Sequence, residues 1–265
     1  MKKLIIIGCL LLTVNLSWAQ TPFVLGKVEK IKSTLLKEER TLNIYLPEGY
    51  NAKSLEKYPV IYLLDGSANE DFIHVVGVVQ FLGMIEFMPK VIVVGIANVD
   101  RKRDFTFPTT VSEDKKDFPT TGSSARFIDF LAKELQPFIE KKYHTGSRTI
   151  VGQSLGGLLA TEIFLKNPAL FDNYLIVSPS LWWDKESLLN QMPDLLAKQV
   201  NHKQVYLAVG NEHKQMVAEA EKFGNLLKDA KVQSKFEYFE KEDHLTILHH
   251  AVYNGLQVLF PKKTK

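Results

Sequence analysis

After Tyr58 the chain is punctuated by six short runs rich in Val, Ile, Leu, Tyr and Phe: "PVIYLLDG", "KVIVVGIAN", "RTIVGQ", "NYLIVSPS", "QVYLAVGNE" and "KFEYFEKED". Continuous apolar strands of this kind have no face to give to water, so they belong in a parallel sheet covered on both sides. Parallel neighbours require crossovers, and helical stretches stand between the runs. "SSARFIDFLAKELQPFIEKKY" places Phe127, Phe130, Leu131, Leu135, Phe138 and Ile139 on one face behind a serine-rich start. "SLGGLLATEIFLKN", "ESLLNQMPDLLAKQV", "HKQMVAEAEKFGNLLKDA" and "LTILHHAVYNGLQVLF" continue the alternation. The expected fold is α/β, a mostly parallel twisted sheet with helices on both faces and right-handed crossovers. Ahead of it, "VLGKVEKIKSTLL" and "RTLNIYLP" flank the charged "KEE" and predict an antiparallel N-terminal hairpin.

The first residues have a different character. MKK, an apolar run to Leu16, and "SWAQ" with Ser17 and Ala19 at the minus-three and minus-one positions read as a cleaved signal peptide over residues 1–19. Thr13 and Asn15 interrupt the run before the roughly 20 apolar residues that a membrane span needs, so no stable insertion is expected. Cys9 is the only cysteine, and "IIGC" superficially matches a lipid-attachment box. That reading leaves only Leu4 to Ile7 as the apolar core, shorter than the roughly 7–15 residues export requires. Removal of the leader leaves one expected domain, residues 20–265, without cysteine, which excludes disulfides, zinc–thiolate sites and cysteine nucleophiles. It also removes Lys2 and Lys3, taking the formal charge from +3 to +1. Near-neutrality gives no reason to expect nucleic acid or an acidic membrane as partner. The location expected from the leader is the periplasm or the exterior.

Gly152-Gln153-Ser154-Leu155-Gly156 has the spacing of a nucleophile elbow, a strand-to-helix turn so tight that its flanks have no room for side chains. N–H groups opening the next helix then point at the reacting oxygen, and the helix dipole favours developing negative charge. The alternative makes Ser154 an N-cap; the apolar strand before it and the small-residue helix after it, with Gly157 permitting close packing, favour the nucleophile. Chains built on this elbow run serine, acid, histidine. Among seven histidines, His74 and His144 precede the serine, His202 stands before a strand, His213 at a helix start, and His249 and His250 within the last helix. His244, between the last strand and the last helix, is the expected base. Glu212, after "QVYLAVG", is the nearest carboxylate to serve as its acid, with a solvated helix-start glutamate as the competing reading. Asp243 is adjacent in sequence to His244 and poorly placed to face it. For the oxyanion hole, the amide of Leu155 supplies one donor, and that of Ser67 or Gly66, after "VIYLLDG", the other.

Taken in order, "YLLDG", "IANVDRKRDFT", "FIDFLAKELQPFIEKKY", "GQSLGGLLA", "SPSLWWD" and "DHLTILHHAVYNGLQVLF" resemble the esterase D-like branch of the α/β-hydrolase superfamily, and within it the periplasmic siderophore-esterase-like members. The resemblance implies an α/β-hydrolase fold, hydrolysis of a small-molecule carboxylic ester with Ser154 as nucleophile and His244 as base, and no cofactor. Gln153 stands where many relatives have histidine. In the siderophore esterases the acid can be absent, leaving a serine–histidine dyad and a structural or substrate-contacting Glu212. Arg101 is a candidate anchor for an anionic substrate group, while Arg103 and Asp104 are expected to brace the long segment 98–124. Trp182 and Trp183 are candidates for an aromatic wall, with packing the expected role of one of them. Acyl transfer to a hydroxyl acceptor uses the same residues, and a silent binding protein on this scaffold would have no use for the elbow. A metal hydrolase finds no support, for the chain has no H-E-x-x-H.

Overall fold

The computed structural model describes residues 21–198 and 203–262; the leader read over residues 1–19, and His202, lie outside the described residues. The hairpin is present as β1 (Lys27–Ser33) and β2 (Glu38–Tyr45). The six apolar runs form β3 (Tyr58–Leu63), β4 (Ile92–Ile96), β5 (Thr145–Gln153), β6 (Asn173–Val177), β7 (Gln204–Gly210) and β8 (Gln233–Phe239). They join one eight-stranded sheet in the order β1-β2-β4-β3-β5-β6-β7-β8. β2 meets both β1 and β4 antiparallel, and every pairing from β4 to β8 is parallel.

Successive residues of the inner strands alternate between two buried clusters. Val60, Tyr62, Ile150, Tyr174, Ile176, Val205 and Leu207 pack on one face, while Ile61, Leu63, Val151, Leu175, Val177, Tyr206 and Ala208 pack on the other. That two-sided burial is why these runs read as unbroken apolar stretches. On the second face lie α1 (Phe72–Met84) and the last helix, α9 (Ile247–Leu259). On the first lie α4 (Ser124–Phe130), α5 (Gln136–Lys142), α6 (Leu155–Lys166), α7 (Trp183–Ala197) and α8 (Lys214–Asp229).

Three elements differ from expectation for identifiable reasons. The stretch 72–84, whose sequence carries no polar contrast to mark a helix, forms α1. The single helix expected over 123–143 is broken by a π-helical turn, Leu131–Leu135, just before Pro137. Proline has no N–H, and its ring crowds the carbonyl four residues back, so an unbroken α ladder cannot run through it. The long segment 98–124 is not idle loop: it carries α2 (Arg101–Phe105) and α3 (Ser112–Asp117). An ion cluster anchors it, with the fully buried Arg40 of β2 paired to Glu38 and Asp104, and Arg103 bonded to the same two carboxylates at 2.7 and 2.8 Å. Removing one member would leave a buried charge uncompensated, at a cost of about 3–5 kcal/mol.

A second buried charge has no such partner. Glu219 on α8 is 3 % exposed, accepts one hydrogen bond from Gln215 Nε2 at 2.8 Å, and its Oε2 is buried without a partner. Burial, reinforced by the charge of Glu186, pushes its carboxyl up to about 7 from an ordinary 4.5. A raised carboxyl means the folded chain binds a proton that the unfolded chain has lost. Its contribution to stability is therefore full below about 4.5 and is lost as pH rises through about 7. Urea unfolding of Glu219→Gln beside the parent should show the variant more stable above pH 7, by on the order of 3 kcal/mol, and the advantage vanishing near pH 4. Parallel pH profiles for the two proteins would contradict this.

Candidate active site

The carboxyl ends of the parallel strands converge on one edge, and the residues singled out in the sequence sit there. β5 ends at Gln153 and α6 begins at Leu155, leaving Ser154 alone at the turn with φ 59° and ψ −120°. A non-glycine residue in that region is strained, and such strain persists only where the surroundings enforce it. Here the enforcement is close packing: a Cβ on Gly152 would lie 2.4 Å from the Gly156 carbonyl oxygen, and one on Gly157 would lie 2.9 Å from that of Val177. The Ser154 N–H donates to Val177 O at 3.1 Å, and no side-chain cap bond forms. The N-cap alternative therefore lacks its defining hydrogen bond.

His244 follows β8, and Glu212 follows β7. His244 Nδ1 lies 2.7 Å from Glu212 Oε2, the imidazole 35 % exposed and the carboxylate 2 %. Glu212 Oε1 accepts from Ser178 Oγ and, at 3.1 Å, from the Gly210 N–H. Burial pushes the Glu212 carboxyl up, but the hydrogen bonds from His244 and Ser178, the charge of His244 and the Gly210 amide outweigh it and hold the group below its usual range. A carboxylate that stays ionised fixes the proton of His244 on Nδ1 and leaves Nε2 to accept. Glu212 is thus not the solvated helix-start residue of the competing reading. Asp243 is turned away, its Oδ1 accepting from the amides of Leu245 and Thr246 at 2.8 and 3.1 Å. Gln153 Nε2 donates to the backbone oxygen of His244, tying the elbow to the histidine loop.

Ser154 and His244 line one cleft of about 370 Å³ together with Asp65, Glu70, Asp71, Arg101, Gln153 and Leu245. The Leu155 N–H opens α6 and so has no acceptor within the helix. Of the two amides expected opposite it, Gly66 is corrected: its N–H donates to Ile96 O at 3.0 Å as part of the sheet edge. Ser67 N–H keeps only a long contact, 3.3 Å, to Glu70 Oε2. The peptide that carries it is held by Asn43 of β2, 6 % exposed, whose Nδ2 donates to Gly66 O at 2.8 Å. Sequence reasoning missed Asn43; its signal was an amide between the apolar Leu42 and Ile44 of β2.

Arg101 reaches the cleft, but not as a free cation. Its Nε and Nη2 bond both oxygens of Asp65 at 2.6 and 2.9 Å, and Nη2 lies 3.3 Å from Gln153 O. The anion-anchor expectation is corrected accordingly: Asp65 already neutralises it. Trp183 is corrected too, being fully buried with Nε1 donating to Phe107 O at 2.9 Å. Trp182 is partly buried, its ring packed against Phe118 and Trp183 at 6.1 and 5.9 Å between centroids. Among the described residues, no helix is long and apolar enough to cross a membrane.

Known proteins are similar to this chain over most of its length. The family model described as "Putative esterase" matches residues 33–255. Ferri-bacillibactin esterase BesA of Bacillus subtilis is 30 % identical over 247 residues, 83 % of this chain and 85 % of BesA. The crystal structure of an IroE-like serine hydrolase from Shewanella oneidensis superposes with a TM-score of 0.81 at 34 % identity, covering 89 % of this chain and 80 % of that one. The BES protein from Bacillus cereus gives 0.80 at 29 %, covering 91 % and 97 %. With the family model matching residues 33–255 and the fold shared over 89–91 % of its length, the chain belongs to the esterase family of α/β-hydrolases, in its siderophore-esterase-like branch, and is a carboxylic ester hydrolase.

Proposed function

We propose that residues 20–265 form a single exported serine esterase domain working through an acyl-enzyme on Ser154. The observation that carries the reading is the buried Glu212 carboxylate 2.7 Å from His244 Nδ1, with His244 and Ser154 lining the same cleft. His244 Nε2 takes the hydroxyl proton as Ser154 Oγ bonds to the ester carbonyl carbon, and the carbonyl oxygen becomes an oxyanion facing the Leu155 and Ser67 amides. Collapse breaks the carbon–alkoxy bond, and the alkoxide leaves with the proton held on Nε2. Water then repeats the sequence on the acyl-enzyme and releases the acid. Glu212 steadies the imidazolium throughout without itself taking the proton. The substrate is a small acyl or aryl ester, and the similarity to ferri-bacillibactin esterase and to a siderophore enterobactin esterase favours one of siderophore type. The leader at residues 1–19 would send the enzyme to the periplasm or beyond.

Hydrolysis of a short p-nitrophenyl ester by the mature protein, measured beside a folded Ser154→Ala variant, is the test. Equal rates in the two would refute the mechanism. Asn43 enters as a positioning residue, since Gly66 O and Ser67 N–H belong to one peptide plane. Asn43→Ala is expected to lower kcat about tenfold with KM little changed, whereas mere destabilisation would lower the active fraction and leave turnover per active site, counted by fluorophosphonate titration, unaltered.

A further inference from the structure

The turn that follows β6 touches the nucleophile on one side and the acid on the other. Val177 O accepts from the Ser154 N–H at 3.1 Å, and the Ser180 N–H donates to Ser154 O at 3.1 Å, so residues 177–180 bracket the elbow. Between those two contacts the Ser178 N–H donates to Ala208 O of β7 at 2.8 Å, and its hydroxyl donates to Glu212 Oε1. Ser178 is completely buried, and its φ of 43° lies in the left-handed region that glycine enters freely and serine does not. Strain of this kind persists only where the surroundings hold it, and it clusters at functional sites. No substrate reaches a hydroxyl at that depth, so its influence passes through the carboxylate it touches.

A glutamate does not aim itself. The last torsion of its side chain is broad and roughly two-fold, so the direction of Oε2 is set by whatever holds Oε1. Two donors hold it here. The Gly210 N–H, at 3.1 Å, stands two residues back in the same loop and travels with Glu212. The Ser178 hydroxyl comes from the end of the neighbouring strand, β6, and does not. It refers the carboxylate to the same turn that grips Ser154, and Oε2 then meets His244 Nδ1 at 2.7 Å. We infer that Ser178 is a positioning residue for the acid of the esterase site proposed above: its hydroxyl fixes the Glu212 carboxylate relative to Ser154, and with it the tautomer and direction of the His244 imidazole. Without that hydroxyl Glu212 stays in its pocket but turns about its last bond, and His244 Nε2 is aimed at Ser154 for a smaller share of the time.

Two substitutions in the mature protein separate the hydroxyl from the backbone. Ser178→Ala removes the hydroxyl and keeps the left-handed strain, whereas Ser178→Gly removes both and suits the φ, so it also serves if the alanine variant folds poorly. Each is expected to lower kcat on a p-nitrophenyl ester about tenfold with KM changed less than about twofold, per active site counted by fluorophosphonate titration. Parent turnover in Ser178→Ala, or its return in Ser178→Gly, overturns the inference, and so does a loss that falls on KM. In a Glu212→Gln background the same removal is expected to cost nothing further, because groups that act through one another are non-additive. A further tenfold loss there overturns the assignment to Glu212. All these failures leave the serine esterase standing, since that reading falls only if Ser154→Ala hydrolyses the ester as fast as the parent.

Discussion

Ser154→Ala and His244→Ala, each checked for folding by circular dichroism and thermal unfolding, are expected to lose about 10³-fold or more in kcat on p-nitrophenyl esters. The loss follows from the way the two groups act. Without the hydroxyl there is no acyl-enzyme, and without Nε2 the hydroxyl remains a neutral, weak nucleophile at neutral pH. Members of such a unit are non-additive, so the double variant should be scarcely slower than either single one. Residual rate above the uncatalysed reaction would come from binding and from the amide donors, neither of which the substitutions remove. A His244→Ala enzyme with near-normal turnover would refute the base assignment whatever Ser154→Ala does.

Glu212→Gln is expected to cost about 10²-fold or more in kcat at neutral pH with little change in KM. The Glu212 side chain is 2 % exposed and aimed at His244 Nδ1, so the replaced group cannot be substituted by bulk water. A glutamine amide turned toward Nδ1 favours the tautomer with its proton on Nε2, which cannot accept from Ser154, and it supplies no charge to steady the imidazolium. Steady-state kinetics on one chromogenic ester decide the matter. Turnover within about threefold of the parent would mean that Ser154 and His244 operate as a dyad, with Glu212 serving Ser178 and Gly210 as a structural acceptor.

What could be read in advance tracks how local the governing physics is. The inner parallel strands were legible because burial on both faces leaves a continuous apolar signature, whereas β8, at the sheet edge, is largely exposed or half-buried. The tight turn at Ser154 was legible because it imposes glycine at fixed neighbouring positions. α1 escaped because Ile73 and Phe81 are exposed apolar residues on a helix already crowded with buried valines, which erases the polar contrast on which periodicity depends. The choice between the Gly66 and Ser67 amides was not local at all. It rests on which N–H the sheet edge consumes at Ile96, thirty residues away in sequence. Arg101 and Trp183 were chemically sensible candidates whose partners, Asp65 and the Phe107 carbonyl, only the folded chain brings into place.

The strand order has a kinetic corollary. Ser67, Ser154, Glu212 and His244 follow β3, β5, β7 and β8, and β8 is the outermost strand, added last at the edge remote from the hairpin. A chain emerging from its N-terminus could pack β1 to β6 and present a finished elbow while the histidine and its acid were still unmade. Sequence-distant parallel pairings of this kind close slowly. On the proposed mechanism, hydrolytic competence is among the final properties the molecule acquires, and recovery of activity during refolding is expected to report the docking of the C-terminal edge rather than the formation of the turn at Ser154.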